Sequence, residues 1–290
     1  MKIFISLALV FVQFFTMMQS TFLPYPAPPE GGERFTYGDG RSQDLDMFVP
    51  EDASGSVDVM FFIHGGSWVF GNQSSSFDAY AKLVCDEYGI VGVSADYTKL
   101  GLEANAVDMA EQMYTAVEFV KNTLADRGLK ADKLAMCGHS SGSNTALLYS
   151  YKHYADSPID LAFVVAAASP VGFVDYGCGT AVERGGNVLA SALSGEYIKA
   201  DEMNAENAAY VSVSPLMLVS ADVPPTIIVH GDADRMVPYT GSVKLHEALD
   251  ECGVRNDFIT IENGGHAIRG NSAFQEAVTP YVEQYGRDLF

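Results

Sequence analysis

Apolar positions along this chain recur at two spacings, one typical of strands and one of helices, and the two alternate for most of its length. Glu33 to Tyr37 and Gln43 to Val49 read as short strands joined by the Gly-Asp-Gly turn at Gly38 to Gly40. Val59 to Ile63 is an apolar run that ends in His64-Gly65-Gly66. Phe77 to Tyr88 has helical spacing at Phe77, Tyr80, Ala81 and Val84, and Gly89 follows where a helix often stops. Ile90 to Ala95 predicts a strand, and Ala106 to Leu124 an amphipathic helix with Met109, Met113, Ala116, Val117, Val120 and Leu124 on one face.

Leu134 to Cys137 predicts a short strand that runs into Gly138-His139-Ser140-Ser141-Gly142, with a helix from there to Tyr151. Leu161 to Ala167 is apolar throughout, as in a sheet covered on both faces. Thr226 to Val229 and Asp257 to Ile261 add strands, with a helix over about Ser242 to Glu251 between them. A last helix follows Asn271 and is expected to break or restart near Pro280. This alternation predicts an α/β fold with a mostly parallel sheet between helical layers. Val171 to Ala209 departs from it, and its two helical stretches suggest a small cap inserted over the active-site edge.

Composition narrows the class. Hydrophobic residues make up 48%, enough for a sizeable core and too many for a disordered chain. With 17 basic against 37 acidic residues the formal net charge is −20, which disfavours nucleic acid and anionic membrane surfaces as partners. Met1 and Lys2 precede an almost wholly apolar stretch from Ile3 to Met18, then Ser20 and Thr21. That is the layout of a secretory signal. The expectation is a signal at 1–20, a secreted mature domain over 21–290 and no stable membrane span after cleavage. Cys85, Cys137, Cys178 and Cys252 allow one or two bridges and match no zinc spacing, and Asn72-Gln73-Ser74 is a glycosylation acceptor sequence.

The chemistry concentrates in four short segments. In Gly138-His139-Ser140-Ser141-Gly142 a sharp strand-to-helix turn would expose Ser140 as a nucleophile, with free helix N–H groups pointing toward the reacting oxygen. The glycines of His64-Gly65-Gly66-Ser67-Trp68 let the backbone aim N–H donors at a developing oxyanion. Gly66 and Ser67, with Ser141, are the expected donors. A general base must then come from a histidine. His139 adjoins the nucleophile and should point away from its hydroxyl, His153 and His246 fall on helices, and His230 ends a strand where a structural hydrogen bond is expected. His266, in a loop after Gly264-Gly265, is free to reach Ser140. The orienting carboxylate is Asp234, with Asp232 as its rival in the same loop.

These segments together resemble the α/β-hydrolase superfamily, and within it the small esterases with a His-Gly-Gly-x-Trp oxyanion loop. That group includes feruloyl-esterase-like and acetyl-esterase-like proteins, isoprenylcysteine methylesterases and kynurenine formamidases. Asp44 to Pro50 looks like the group's first strand, and Asp96-Tyr97-Thr98-Lys99-Leu100 is similar to its Tyr-Arg-Leu segment, with Thr98 replacing the arginine. Pro224-Pro225-Thr226 and Val237-Pro238 match the segments around its acid loop. Ser67, Ser141 and Ser143 depart from the glycine and alanine frequent in relatives. The resemblance implies Ser140 as nucleophile, Asp234 as acid and His266 as base, with Gly66, Ser67 and Ser141 as the oxyanion hole. It further implies hydrolysis of carboxylic esters without a metal or organic cofactor, on short-acyl, acetyl or feruloyl esters, including esterified saccharides. A serine peptidase, an arylformamidase-like amide hydrolase and a non-enzymatic binding module are the rival classes.

Overall fold

In the computed structural model, which describes residues 27–74, 77–101, 103–174, 183–267 and 272–290, the apolar runs gather into one sheet. Strands β1 (Gly32–Thr36) and β2 (Asp44–Phe48) pair antiparallel around the glycine-rich turn. Then come β3 (Ser56–Ile63), α1 (Phe77–Tyr88), β4 (Val91–Ala95), α2 (Ala106–Asp126), β5 (Lys130–His139), α3 (Ser141–Lys152) and β6 (Asp160–Ala167). An insertion carries α4 (Glu183–Ser194) and the single turn α5 (Ala208–Val211). The chain closes with β7 (Thr226–Gly231), α6 (Tyr239–Glu251), β8 (Asn256–Ile261) and α7 (Ser272–Leu289). The expected signal at 1–20 and the Tyr176 to Gly179 stretch, with Cys178, lie outside the described residues.

The eight strands stand in the order β1-β2-β4-β3-β5-β6-β7-β8. All neighbours from β4 onward are parallel, while β2 meets β4 antiparallel. This is the α/β-hydrolase fold with an inserted helical region, as expected. Parallel strands place their carboxyl ends along one edge, so the loops after β3, β5, β7 and β8 converge there. Helix α2 shows how local signals set an element. Asn105 accepts from the Val107 and Asp108 N–H groups at 2.8 and 3.0 Å, and the Asp108 carboxylate accepts from the Asn105 N–H. The buried stripe on α2 includes every apolar residue expected for it.

Two apolar layers flank the sheet. On one side α2, α3 and α6 pack Met109, Met113, Leu147 and Leu245 against Val59, Phe61 and Ile228. On the other, α1 and α7 pack Phe77, Val84, Val278 and Tyr285 against Met60, Phe62 and Phe163. An apolar cavity of about 270 Å³ remains on this second side, between α1 and α7, and its lining reaches His139 but includes neither Ser140 nor His266.

Some expectations change in detail. β5 begins at Lys130, earlier than its apolar core suggests, because Lys130 pairs with Ser56 of β3 and Lys133 with Asp160 of β6. Backbone pairing extends a strand past the residues that bury. Helix α7 runs through Pro280 without a break. Residues 276 and 280 both lie on an exposed side of the helix. The insertion forms one three-turn helix, the short α5 and two 3₁₀ turns, and its helical segments continue past Ala209 to Leu218. Cys85, Cys137 and Cys252 are unpaired, so none of the bridges that the sequence allows among these three forms.

One buried carboxyl has a thermodynamic consequence. Asp78, in the first turn of α1, is pushed from its ordinary 3.8 up to about 7, first by burial and then by the neighbouring Asp46 carboxylate, to which it hydrogen-bonds. Arg34 opposes this only in part, because its guanidinium is held bidentate by Asp46 at 2.7 Å and 2.7 Å. The folded chain therefore keeps a proton that the unfolded chain releases near its ordinary value. The stabilising effect is complete at low pH and is lost as pH rises through about 7. Thermal unfolding should show Tm falling between about pH 4 and pH 7, and Asp78→Asn should flatten that slope and raise Tm at the alkaline end.

Candidate active site

The turn from β5 into α3 sets the site. Ser140 has φ 56° and ψ −124°, a left-handed backbone that a side chain rarely adopts. The strain is held by its surroundings: the Ser140 N–H donates to the Ala167 carbonyl at 2.9 Å, and its carbonyl accepts from the Ser143 and Asn144 N–H groups. Gly142 explains why the turn can be this tight. A Cβ there would lie 2.2 Å from the Ile63 carbonyl oxygen and 2.3 Å from that of His64. The first turn of α3 thus presses on the end of β3, and Ser141 starts α3 with an N–H for which no intrahelical acceptor exists.

The loop after β3 meets this turn from the other side. Gly66 has φ 134°, and a Cβ on it would sit 2.2 Å from the Phe70 carbonyl oxygen, so only glycine fits. Ser67 and Trp68 are also left-handed, at φ 55° and 61°. Two bonds from the Val69 and Phe70 N–H groups to the Gly66 carbonyl, at 3.1 and 2.8 Å, close this loop on itself.

Ser140, His266 and Asp234 form one hydrogen-bonded chain. The His266 Nδ1–H donates to Asp234 Oδ2 at 2.7 Å, which leaves Nε2 to accept from the Ser140 hydroxyl at 2.9 Å. Asp234 accepts more than this one bond. Its Oδ1 takes the Met236 and Val237 N–H groups at 2.8 and 3.0 Å, and its Oδ2 also takes the His230 Nε2–H at 3.2 Å. Burial alone would raise this carboxyl, but the bonds from His230, His266 and the two backbone groups hold it far below the usual carboxylate range. Asp232, the sequence rival, is exposed.

His230 was expected to make a structural hydrogen bond, but its partner was not foreseen. Its Nδ1 accepts from the Ser242 hydroxyl at 2.7 Å, which fixes the Nε2–H tautomer that supports Asp234. The spacing of four residues between His230 and Asp234 was the available signal. His153 hydrogen-bonds Asp156, and His246 hydrogen-bonds Asn256, away from Ser140.

A buried ion network lies under the glycine loop. The Lys99 ammonium donates to Asp96 Oδ1 and, at 3.0 Å, to the Tyr97 carbonyl. His64 Nε2 lies 2.8 Å from the same Asp96 oxygen and 3.2 Å from Lys99 Nζ. The His64 ring stacks on Tyr97 at 4.7 Å, and the Tyr97 hydroxyl donates to the His64 carbonyl at 3.2 Å. Burial pushes Lys99 and His64 down, while Lys99 and His64 outweigh burial at Asp96 and hold it low. Thr98 stands where the resembling esterases carry arginine, and no role is expected of Lys99 from the sequence. The buried cation is supplied one residue later. Among the described residues no cluster of His, Cys, Asp and Glu could hold a metal ion, and no helix is long and apolar enough to cross a membrane.

Comparison with known proteins bears on the family and the fold. A methylesterase-like relative is the probable isoprenylcysteine alpha-carbonyl methylesterase ICMEL1 of Arabidopsis thaliana, 24% identical over 247 residues, covering 79% of this chain and 49% of that protein. Esterase LipQ of Mycobacterium tuberculosis is 27% identical over 242 residues, covering 79% of this chain and 55% of its own length. The chain thus spans about half the length of these relatives. Among solved structures, the esterase Est2 of Thermogutta terrifontis shares the fold with a TM-score of 0.71 at 22% identity, covering 93% of this chain and 97% of Est2. A truncated carbohydrate esterase from gut microbiota shares it with a TM-score of 0.69 at 20% identity, covering 91% of this chain and 100% of that one. The family model BD-FAE matches residues 45–249, from β2 to the last turn of α6, and so spans the glycine loop, the Ser140 turn and the Asp234 loop. The chain belongs to the BD-FAE family, within the α/β-hydrolase fold.

Proposed function

We propose that this protein is a serine carboxylesterase that works through an acyl-enzyme on Ser140. The observation that carries the reading is the continuous chain from the Ser140 hydroxyl through His266 to a fully hydrogen-bonded Asp234. His266 takes the Ser140 proton as the oxygen attacks the ester carbonyl, and the resulting imidazolium is stabilised by Asp234. The tetrahedral oxyanion then meets the N–H groups of Gly66, Ser67 and Ser141. His266 returns the proton to the leaving alcohol, and water activated by the same histidine releases the acid. Ester hydrolysis is also what the names of ICMEL1 and LipQ state for those relatives.

Within that reaction, we assign short-acyl or acetyl and feruloyl esters as substrates, including esterified saccharides, and a secreted location. Two observations support the substrate side. The apolar cavity reaches His139 and has neither Ser140 nor His266 in its lining, so an acyl chain bound there would lie away from the nucleophile. A carbohydrate esterase shares the fold over its whole length. The apolar stretch from Ile3 to Met18 supports export.

Two measurements test the reading. A fluorophosphonate should label the parent protein at Ser140. Asp234→Asn should keep the fold yet lower kcat by about 10⁴, as loss of the triad acid does in the serine proteases, whereas Asp232→Asn should change kcat by less than about tenfold. The opposite ranking would transfer the orienting role to Asp232. For acyl preference, kcat/KM should be highest between acetyl and butyryl in a monomeric series with one leaving group. An acyl groove would instead add about 0.8 kcal/mol per buried methylene, and a steady rise to octanoyl would replace the short-acyl assignment with a lipase-like one.

A further inference from the structure

We propose that His139, the residue before Ser140, is a positioning residue that holds the His266 loop so that its imidazole faces the Ser140 hydroxyl. The inference rests on the acyl-transfer reading above. His139 is buried, and its ring points away from the Ser140 hydroxyl toward the back of the base. Its Nε2 lies 2.9 Å from the His266 main-chain carbonyl oxygen. A carbonyl can only accept, so the proton of His139 resides on Nε2 and is donated there. The two rings stand 5.0 Å apart and tilted by 48°.

The opposite side of the same ring faces the glycine loop. A Cβ placed on Gly65 would lie 3.2 Å from His139 Nδ1 and 2.7 Å from the His139 carbonyl oxygen. His139 therefore fills the space between the loop that supplies the oxyanion donors and the loop that supplies the base. The base loop has other ties, since the Gly264 carbonyl accepts from the Ala233 N–H at 3.0 Å and its N–H donates to Ile261 at 2.9 Å. Those ties end two residues short of His266, and the bond from His139 reaches the main chain of His266 itself. The Asp234 bond fixes the imidazole at Nδ1, and the His139 bond fixes its backbone. With both in place, the swing of Nε2 relative to Ser140 Oγ is restrained. Misplacement of a reacting group by about 1 Å can cost on the order of 10²-fold in rate.

The test is His139→Phe, which keeps a planar ring of similar size and removes the donor. On a soluble acetyl ester, kcat should fall by about tenfold or more while KM stays within about twofold, because the substrate-binding surface is untouched. The low-field proton resonance of His266 Nδ1–H should shift or broaden in the same variant. His139→Gln, whose amide can donate to the same carbonyl, should recover most of both signals. If His139→Phe does not fold, His139→Asn, too short to reach the carbonyl, carries the same expectation. A kcat within about twofold of the parent with an unmoved resonance would overturn the proposal. If the parent neither cleaves esters nor reacts with fluorophosphonate, the acyl-transfer reading fails, and the His266 resonance alone then decides the role of His139.

Discussion

Where β5 turns into α3 through a strained serine, Gly142 is pressed against the carbonyl end of β3 and Gly138 against the first turn of α3, and most of the site follows from this crowding. Gly142 approaches the Ile63 and His64 carbonyls so closely that no side chain fits between them. Helix α3 is therefore locked to the strand end from which the glycine loop departs. The nucleophile and the expected oxyanion donors cannot drift apart, because one close backbone contact joins the elements that bear them. A left-handed serine costs on the order of 1–3 kcal/mol. That cost is tolerated here because Ser140 is held through its own N–H and its carbonyl, and because α3 is buried along most of its length.

Two carboxylates at the carboxyl edge are kept ionised by different means. Asp234 is surrounded by N–H donors, four bonds from His230, His266, Met236 and Val237, and is ready to face a positive imidazole. Asp96 is paired with a buried lysine and with His64, beneath the loop and away from Ser140. Hydrogen bonds from neutral donors leave Asp234 its full charge to stabilise an imidazolium, whereas Lys99 neutralises Asp96 in place. The first arrangement suits a group that answers to charge developing in a reaction. The second suits one that fixes a loop. Asp78 shows the contrary case, a buried carboxyl beside another carboxylate and kept protonated to about pH 7.

Much of this was legible from the residues. Strand and helix periods located all eight strands because nearly all of them bury on one or both faces, and β6 is buried at every position after Asp160. Ser140, His266 and Asp234 could be picked out because each stands in a loop directly after a strand, where parallel packing collects side chains. What escaped was set by pairing and by three-dimensional neighbours. The polar start of β5 is held by backbone bonds that no hydropathy pattern records. Pro280 remains inside α7 on a side of the helix that is exposed, a placement the local sequence does not reveal. Lys99 stands one position after the Thr98 that replaces an arginine, and nothing in the local sequence marks it as buried. Its burial depends on Asp96, His64 and Tyr97 arriving from two different strand ends.

The order of the strands also fixes where the loops bearing Ser140, Asp234 and His266 leave the sheet. β3 meets β5 at Ile63 and Gly138, β5 meets β6 at His139 and Ala167, and β7 meets β8 at Gly231 and Ile261. These registers end at the carboxyl edge, so each site loop leaves from a point fixed by backbone pairing. The insertion starts after Ala167 and returns at Thr226, and its two ends are clasped where the Ala168 N–H donates to the Val229 carbonyl at 2.8 Å. Among its contacts with the framework, Asn144 of α3 donates to the Pro170 carbonyl at 2.8 Å and to that of Val213 at 3.3 Å, and within the insertion Ser214 donates to the Val171 carbonyl at 3.0 Å. None of these bonds involves the backbone of the Ser140, Asp234 or His266 loops. A change in the length or packing of the insertion therefore leaves the strand registers that bring the three side chains together as they are.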